Sequence, residues 1–471
     1  MSDADCAPSP TALTARALAH DPSTAQHPDA AQHPDAAQHP GTAPQAEATA
    51  DPSGVPFTEL DPRVLRKQRT SIKWSRFAED VLPLFVAEMD FTVAPEIRRA
   101  LIERVDASDI GYVDGPGELA AAFAGFAADR WGWRVPHDRV HVATDVATAV
   151  VEALRVGRPR GGRLALATPT YPGFFEMLEE VPFEVVEIPL ASEPEPEAGA
   201  RLDLAAIERE FASEPGIDAF VLCNPHNPHG LVHSPDDLAE LARLAAAHDV
   251  FVVSDEIHAP LTFSGVAFTP FAPLAAAAGA LSVSALSASK GWNLAGAKCA
   301  VLVAADGRAD ELLRGLPPET VTRVSILGLH ANTAAFTGAR GWLDRAVAQI
   351  EANVELLADL VARRLPGVRV VRPRAGYLVW LDFREAGLGS DPYLRILHDA
   401  RVALNDGSAF GAGGAGHVRI NGACAPQTLR EAVDRIASIL PAAERPAAPA
   451  PAPAPPAAPA PTPVPDPEAS R

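Results

Sequence analysis

Cysteine and positive charge are scarce in this chain, and its uninterrupted apolar runs are short. The 471 residues contain four cysteines, Cys6, Cys223, Cys299 and Cys424, scattered without a C-x-x-C pair. That spacing argues against a disulfide framework or a zinc site and fits buried, reduced thiols. Basic side chains number 40 against 60 acidic ones, a formal net charge of -20. A surface of that sign repels nucleic acid and anionic membrane, so neither is expected as a partner. Hydrophobic residues make up 47% of the chain, enough for a large core. No apolar stretch approaches the roughly 18 residues that a membrane span requires. The start, Met1 to Cys6, has neither the basic nor the apolar region of a signal peptide, so the expected location is the cytoplasm.

Large apolar side chains are almost missing from the two ends. Residues 1–56 hold a six-residue repeat, Ala25-Gln26-His27-Pro28-Asp29-Ala30, repeated from Ala31 to Ala36. Such a segment cannot bury enough surface to offset its ordering entropy, and a disordered polar tail is expected. Residues 441–471 are dominated by an alanine–proline tract, which favours extended polyproline conformation over a packed fold.

Between the tails, short apolar runs recur at 140–144, 164–167, 185–188, 219–222, 250–253, 281–286 and 300–303. Helical periodicity falls between several of them, notably Ala147 to Leu154 and Leu238 to Ala247. Continuous apolar strands alternating with helices imply an α/β fold with a mostly parallel sheet covered on both faces. In such sheets ligands bind beyond the carboxyl ends of the strands. A long helix is expected from Ala339 to Leu365, then strands at 377–381 and 417–420 and a helix over 428–440. The expected organisation is a large domain over 96–338 and a smaller α+β domain built from 57–95 and 339–440.

The stretch around which these elements are arranged is Ser287-Ala288-Ser289-Lys290-Gly291-Trp292-Asn293-Leu294-Ala295-Gly296-Ala297-Lys298. A lysine just past a buried strand, among small residues, is placed to act as an amine nucleophile. Such lysines form Schiff bases with carbonyl compounds, pyridoxal phosphate among them. Other turns after strands supply complementary groups. Asp255 ends one strand, where a carboxylate either keeps a pyridine nitrogen protonated or simply caps a turn. Asn227 lies in Asn224-Pro225-His226-Asn227-Pro228, a rigid turn able to present its amide to a phenolate oxygen. Thr144-Asp145-Val146-Ala147-Thr148 joins a strand to a helix, and free amides at a helix N-terminus suit phosphate, while the Asp145 side chain itself is expected to serve as the N-cap. Tyr171 offers a ring for stacking, although core packing is the commoner fate of an aromatic.

Asn-Pro-x-Asn-Pro-x-Gly, then Ser-Asp-Glu-Ile-His, then Ser-x-Ser-Lys-x-x-Asn-Leu-Ala-Gly-x-Lys, in that order, resemble the fold-type I pyridoxal-phosphate enzymes of the class I/II aminotransferase superfamily. The resemblance runs from about residue 57 to 440. Within it, Arg69 to Trp74, Leu84 to Phe91, Asp255 to His258 and Val418 to Cys424 are similar to the MalY/PatB branch, the cystathionine β-lyase-like carbon–sulfur lyases. The resemblance implies that Lys290 carries the cofactor, Asp255 meets the pyridine nitrogen and Asn227 the ring hydroxyl oxygen, with His258 also at the cofactor. Ser287 and Lys298 would bind the phosphate beside the amides near Val146 and Ala147. Tyr171 matches the ring-stacking position, and Tyr112 a tyrosine contributed across a homodimer interface. Arg419 would clamp the substrate α-carboxylate, a bidentate task for which a guanidinium is suited.

The expected activity is β-elimination from L-cystathionine or related cysteine S-conjugates, with Lys290 as general base. An aminotransferase on the same residues and a non-catalytic regulatory scaffold are the alternatives. Departures from the family pattern bear on the substrate. Asp145 stands where glycine is usual, so its side chain is expected to point away from the phosphate. Gly291 and Trp292 replace the common Thr-Phe, and His229 a small apolar residue. Gly411-Ala412-Gly413-Gly414-Ala415-Gly416 precedes a strand instead of opening a helix, so it reads as a flexible loop near Arg419 and not as a dinucleotide site. Prolines among His226, His229 and His233 argue against a metal cluster there.

Overall fold

The structure, a computed structural model, describes residues 61–192 and 200–441. The two tails, Pro441 excepted, lie outside the described residues. Each apolar run forms a strand: β1 Val140–Ala143, β2 Gly162–Thr168, β3 Phe183–Pro189, β4 Ala219–Cys223, β5 Phe251–Asp255, β6 Ser282–Leu286 and β7 Ala300–Ala304. They make a seven-stranded sheet in the order β1-β7-β6-β5-β4-β2-β3. All neighbours are parallel except around β7, which runs antiparallel to both β1 and β6.

The absence of polar alternation in β4 and in most of β5 follows from what covers them. Phe220 and Leu222 of β4 enter one hydrophobic cluster, whereas Ala219, Val221 and Cys223 enter another. The same split places Val252 of β5 on one face and Phe251 and Val253 on the other. A strand that buries both rows of side chains has no solvent face to make polar. One cluster is closed by helix α1 Val146–Gly157, the other by α2 Pro235–Ala247 and the 25-residue α3 Arg340–Arg364.

A second, four-stranded sheet contains β8 Arg369–Val371, β9 Leu378–Asp382, β10 Asn405–Asp406 and β11 His417–Asn421, in the order β8-β9-β11-β10 and antiparallel throughout. Helix α4 Pro426–Ala437 follows it. The N-terminal part of the described chain joins this region, because Leu82 and Pro83 pair in parallel with Val402 and Ala403. Among the described residues, no helix is long and apolar enough to cross a membrane.

The link between the two sheets is the segment 84–91, which buries Leu84, Met89 and Phe91 in the core and is further held by polar side chains. Arg69 donates to the carbonyls of Met89, Asp90 and Phe91. Asn421 donates to those of Val86 and Glu88. Asn293 exchanges two hydrogen bonds of 2.9 Å with the Met89 backbone. Beneath the segment, the fully buried Lys73 ammonium pairs with Asp90 and donates to the Glu88 carbonyl at 3.0 Å. Burial pushes the Asp90 carboxyl up, and Lys73 opposes that shift. Removing one partner of a buried pair strands the other charge. Asp90→Ala is therefore expected to destabilise the fold by about 3–5 kcal/mol, read as a lower urea midpoint. An unchanged midpoint would show that the pair does not hold the segment.

Candidate active site

Five turns at the carboxyl ends of β1, β2, β4, β5 and β6 carry Asp145–Ala147, Tyr171, Asn227, Asp255–His258 and Ser287–Lys290. Parallel strands bring those ends to one edge of the sheet, so residues far apart in sequence converge there. Electrostatic contacts tie the group together. Lys290 feels Arg419 and Asp255, His258 feels Lys290 and Arg419, and Tyr171 feels Arg419 and Asp255.

Lys290 projects from the single helical turn Ala288–Gly291, whose first residues are capped by the Ser287 hydroxyl. Its ammonium donates to the Ala87 carbonyl at 3.1 Å, on the segment that links the two sheets. Burial and the nearby Arg419 pull its pKa down to about 8, against a weaker pull upward from Asp255. Desolvation disfavours the charged amine, and a neutral amine is the nucleophilic and basic form.

Asp255 is buried, accepts the Ile257 amide at 3.0 Å and is pushed up to about 6 by burial. The buried Arg419 guanidinium donates to Asn227 Oδ1 at 2.9 Å, to Asn405 Oδ1 and to the Phe85 carbonyl, and sits 5.0 Å from the Phe410 ring centroid. Among the described residues no carboxylate pairs with it, and its buried Nε has no hydrogen-bond partner. With Asn227 Oδ1 committed to Arg419, the Nδ2 donors are what Asn227 offers to a ligand. His258 is buried with an unpartnered Nδ1, and burial lowers its pKa to about 3, which keeps the ring neutral. Tyr171 stands 39% exposed, and its ring lies across Gly173, where an added Cβ would come within 2.4 Å of it.

At the other end of the site, Val146 and Ala147 open α1, and their amides are the kind that a helix N-terminus leaves for an anion. The N-cap role expected for Asp145 is present, and it keeps the carboxylate at the helix end instead of turning it away: Oδ1 accepts the Thr148 amide at 2.8 Å, and Oδ2 pairs with Lys298 Nζ at 2.7 Å. The N-cap role holds the carboxylate at the helix end, and the lysine is the cation within reach. The Ser287 hydroxyl donates its proton to the Cys299 carbonyl at 2.7 Å and accepts the Ser289 amide at 3.0 Å. It therefore also has a structural task, holding the turn that carries Lys290. The glycine-rich loop is also tied down, since the Ala412 amide donates to Glu187 at 2.6 Å.

These residues match a family pattern over most of the chain. The sequence model of the aminotransferase class I and II family matches residues 79–436. The chain belongs to that family. A Mycobacterium leprae (strain TN) protein provisionally named a cystathionine beta-lyase is 42% identical over 395 residues, spanning 79% of this chain and 95% of that protein. Cystathionine beta-lyase PatB of Bacillus subtilis (strain 168) is 33% identical over 393 residues, 81% of this chain and 99% of PatB. Among solved structures, cystalysin from Treponema denticola, which contains pyridoxal 5'-phosphate, superposes with a TM-score of 0.74 at 25% identity, covering 82% of this chain and 98% of that one.

Several groups of this class I and II site carry little sequence signal. Ala87 contributes only its carbonyl, which accepts from both Lys290 and the Tyr377 hydroxyl, each at 3.1 Å. Asn405, in a two-residue strand, had no motif to mark it. Tyr112 is 89% exposed, and the nearby-in-sequence Val105 and Ile110 are exposed as well. The lowered pKa of Lys290 is directly testable. Below about 8 its neutral fraction rises about tenfold per pH unit, so trapping of Lys290 by a carbonyl reagent should climb and then level off near that pH. A plateau reached only near the ordinary lysine value of 10.5, measured by mass spectrometry of the adduct, would contradict the burial argument.

Proposed function

We propose that the protein is a pyridoxal-phosphate-dependent carbon–sulfur β-lyase. It converts L-cystathionine or related cysteine S-conjugates, with water, to a thiol, pyruvate and ammonia. The observation that carries this reading is the convergence of a depressed-pKa amine, a buried carboxylate and an unneutralised guanidinium at one sheet edge. The names of PatB and cystalysin support the same chemistry.

The residues fit the cofactor. Asp255 would meet the pyridine nitrogen, Asn227 and His258 the ring substituents, and Tyr171 the ring face. Ser287, Lys298, Val146 and Ala147 would hold the phosphate, with Ser287 also holding the turn that carries Lys290. When bound, pyridoxal phosphate supplies an electron sink that makes the substrate's Cα–H acidic. Arg419 then takes the substrate carboxylate with two parallel N–H donors, satisfying the charge that no protein carboxylate neutralises. That clamp fixes the Cα–H toward Lys290, whose neutral amine removes the proton. Departure of the thiolate from Cβ follows, and Lys290 holds the proton that the leaving group or product needs. Burial around His258 and Tyr377 keeps water away until the carbon–sulfur bond has broken.

The assigned domains are 96–338 for the cofactor and 57–95 with 339–440 for the smaller partner, in a cytoplasmic homodimer. The exposure of Tyr112 fits a residue contributed across a dimer interface, and the buried free thiols of Cys223, Cys299 and Cys424 fit a reducing compartment. Two variants test the roles. Lys290→Ala should abolish turnover with the melting temperature retained, and full activity in that variant would sink the assignment. Arg419→Ala should raise KM by about ten- to a hundredfold, the loss of charge-assisted hydrogen bonds, with a smaller change in kcat. An unchanged KM would remove the clamp. Mixing inactive Lys290→Ala and Tyr112→Ala chains should restore activity, because one site of the hybrid dimer keeps both residues. No recovery would argue that Tyr112 does not act across subunits.

A further inference from the structure

The phosphate end of the site contains a carboxylate that the catalytic chemistry does not use. Asp145 holds two of the local donors, the Thr148 amide at 2.8 Å and the Lys298 ammonium at 2.7 Å. Both ends of the ion pair are rooted. Asp145 is the N-cap of the 12-residue helix α1. Lys298 sits in the left-handed region at φ 55, and its carbonyl accepts the Ser325 amide at 3.1 Å. Gly328 packs so tightly beneath that an added Cβ would lie 2.0 Å from the Ala297 carbonyl oxygen. The lysine therefore cannot swing its backbone away from Asp145. Lys298 is also the one cation recorded against Asp145 among the described residues.

Resting on the cofactor assignment above, we propose that Asp145 is an internal competitor for the cofactor phosphate and sets how tightly the cofactor is held. A phosphate at the α1 N-terminus and the Asp145 carboxylate would share one ammonium and lie side by side at the same helix end, the carboxylate on the Thr148 amide. Their mutual repulsion offsets part of what the helix end and Lys298 contribute. Side chains of the pair are 53% and 31% exposed, so salt screens the repulsion and the competition is strongest at low ionic strength.

The test uses the full chain stripped of cofactor and titrated with pyridoxal phosphate or with pyridoxal, which lacks the phosphate, followed by visible absorbance. Asp145→Asn keeps a good helix cap and removes the charge. It should lower the dissociation constant for pyridoxal phosphate by about tenfold at low salt, with the gain shrinking as salt rises. Affinity for pyridoxal should stay within about twofold, since the charge at issue sits at the phosphate. Asp145→Ser, which also caps, guards against a packing effect specific to asparagine. Pyridoxal phosphate affinity that is unchanged or weaker in both folded variants would overturn the proposal, as would an equal gain for pyridoxal. Wild-type protein that takes up neither compound would instead overturn the cofactor assignment, and this inference with it.

Discussion

Lys290, Asp255 and Arg419 are withdrawn from water at the same place, and the rest of the molecule is arranged around the cost of keeping them there. A buried ammonium, carboxylate or guanidinium loses hydration that neighbours must replace. Here the replacement is incomplete. Burial pulls Lys290 down to about 8 and Arg419 down to about 10, and pushes Asp255 up to about 6. Amide oxygens of Asn227 and Asn405 and the carbonyls of Ala87 and Phe85 soften the loss without cancelling the charges. A site left short of counter-charge in this way favours a ligand that brings an anionic carboxylate and a polar ring.

Such a site needs a rigid frame, and two features provide one. The seven-stranded sheet is packed on both faces, which leaves its strands no freedom to slide. Across from it, segment 84–91 is pinned by Arg69, Lys73, Asn293 and Asn421, so the Ala87 carbonyl meets Lys290 from outside the sheet. Arg419 arrives from β11, whose register with β9 places it opposite Trp380. The functional groups are thus carried by short turns, but every turn ends a buried strand or is held by a buried side chain.

Much of this was legible in the sequence. The strands were visible as apolar runs, most clearly in the centre of the sheet, where burial on both faces removes polar residues from β4 and most of β5, and Lys290, Asp255 and Asn227 followed at strand ends. The single antiparallel strand β7 was not legible, since a run such as Ala300 to Ala304 reads the same in either direction. Polar networks were harder still. Asn405 and the Ala87 carbonyl act through positions that only the folded chain defines. Asp145 shows the limit most plainly: its N-cap role was readable at the strand–helix junction, but its pairing with Lys298, 153 residues away, was not.

The chain has only four lysines, Lys67, Lys73, Lys290 and Lys298, which makes one measurement unusually direct. Protein loaded with pyridoxal phosphate and reduced with borohydride should carry one pyridoxyl group, and peptide mapping by mass spectrometry should find it on Lys290. Lys73 is committed to Asp90 and Lys298 to Asp145, so neither is expected to react. An adduct on Lys298, on Lys67 or on no lysine at all would contradict the account of Lys290 as the amine around which this molecule is built.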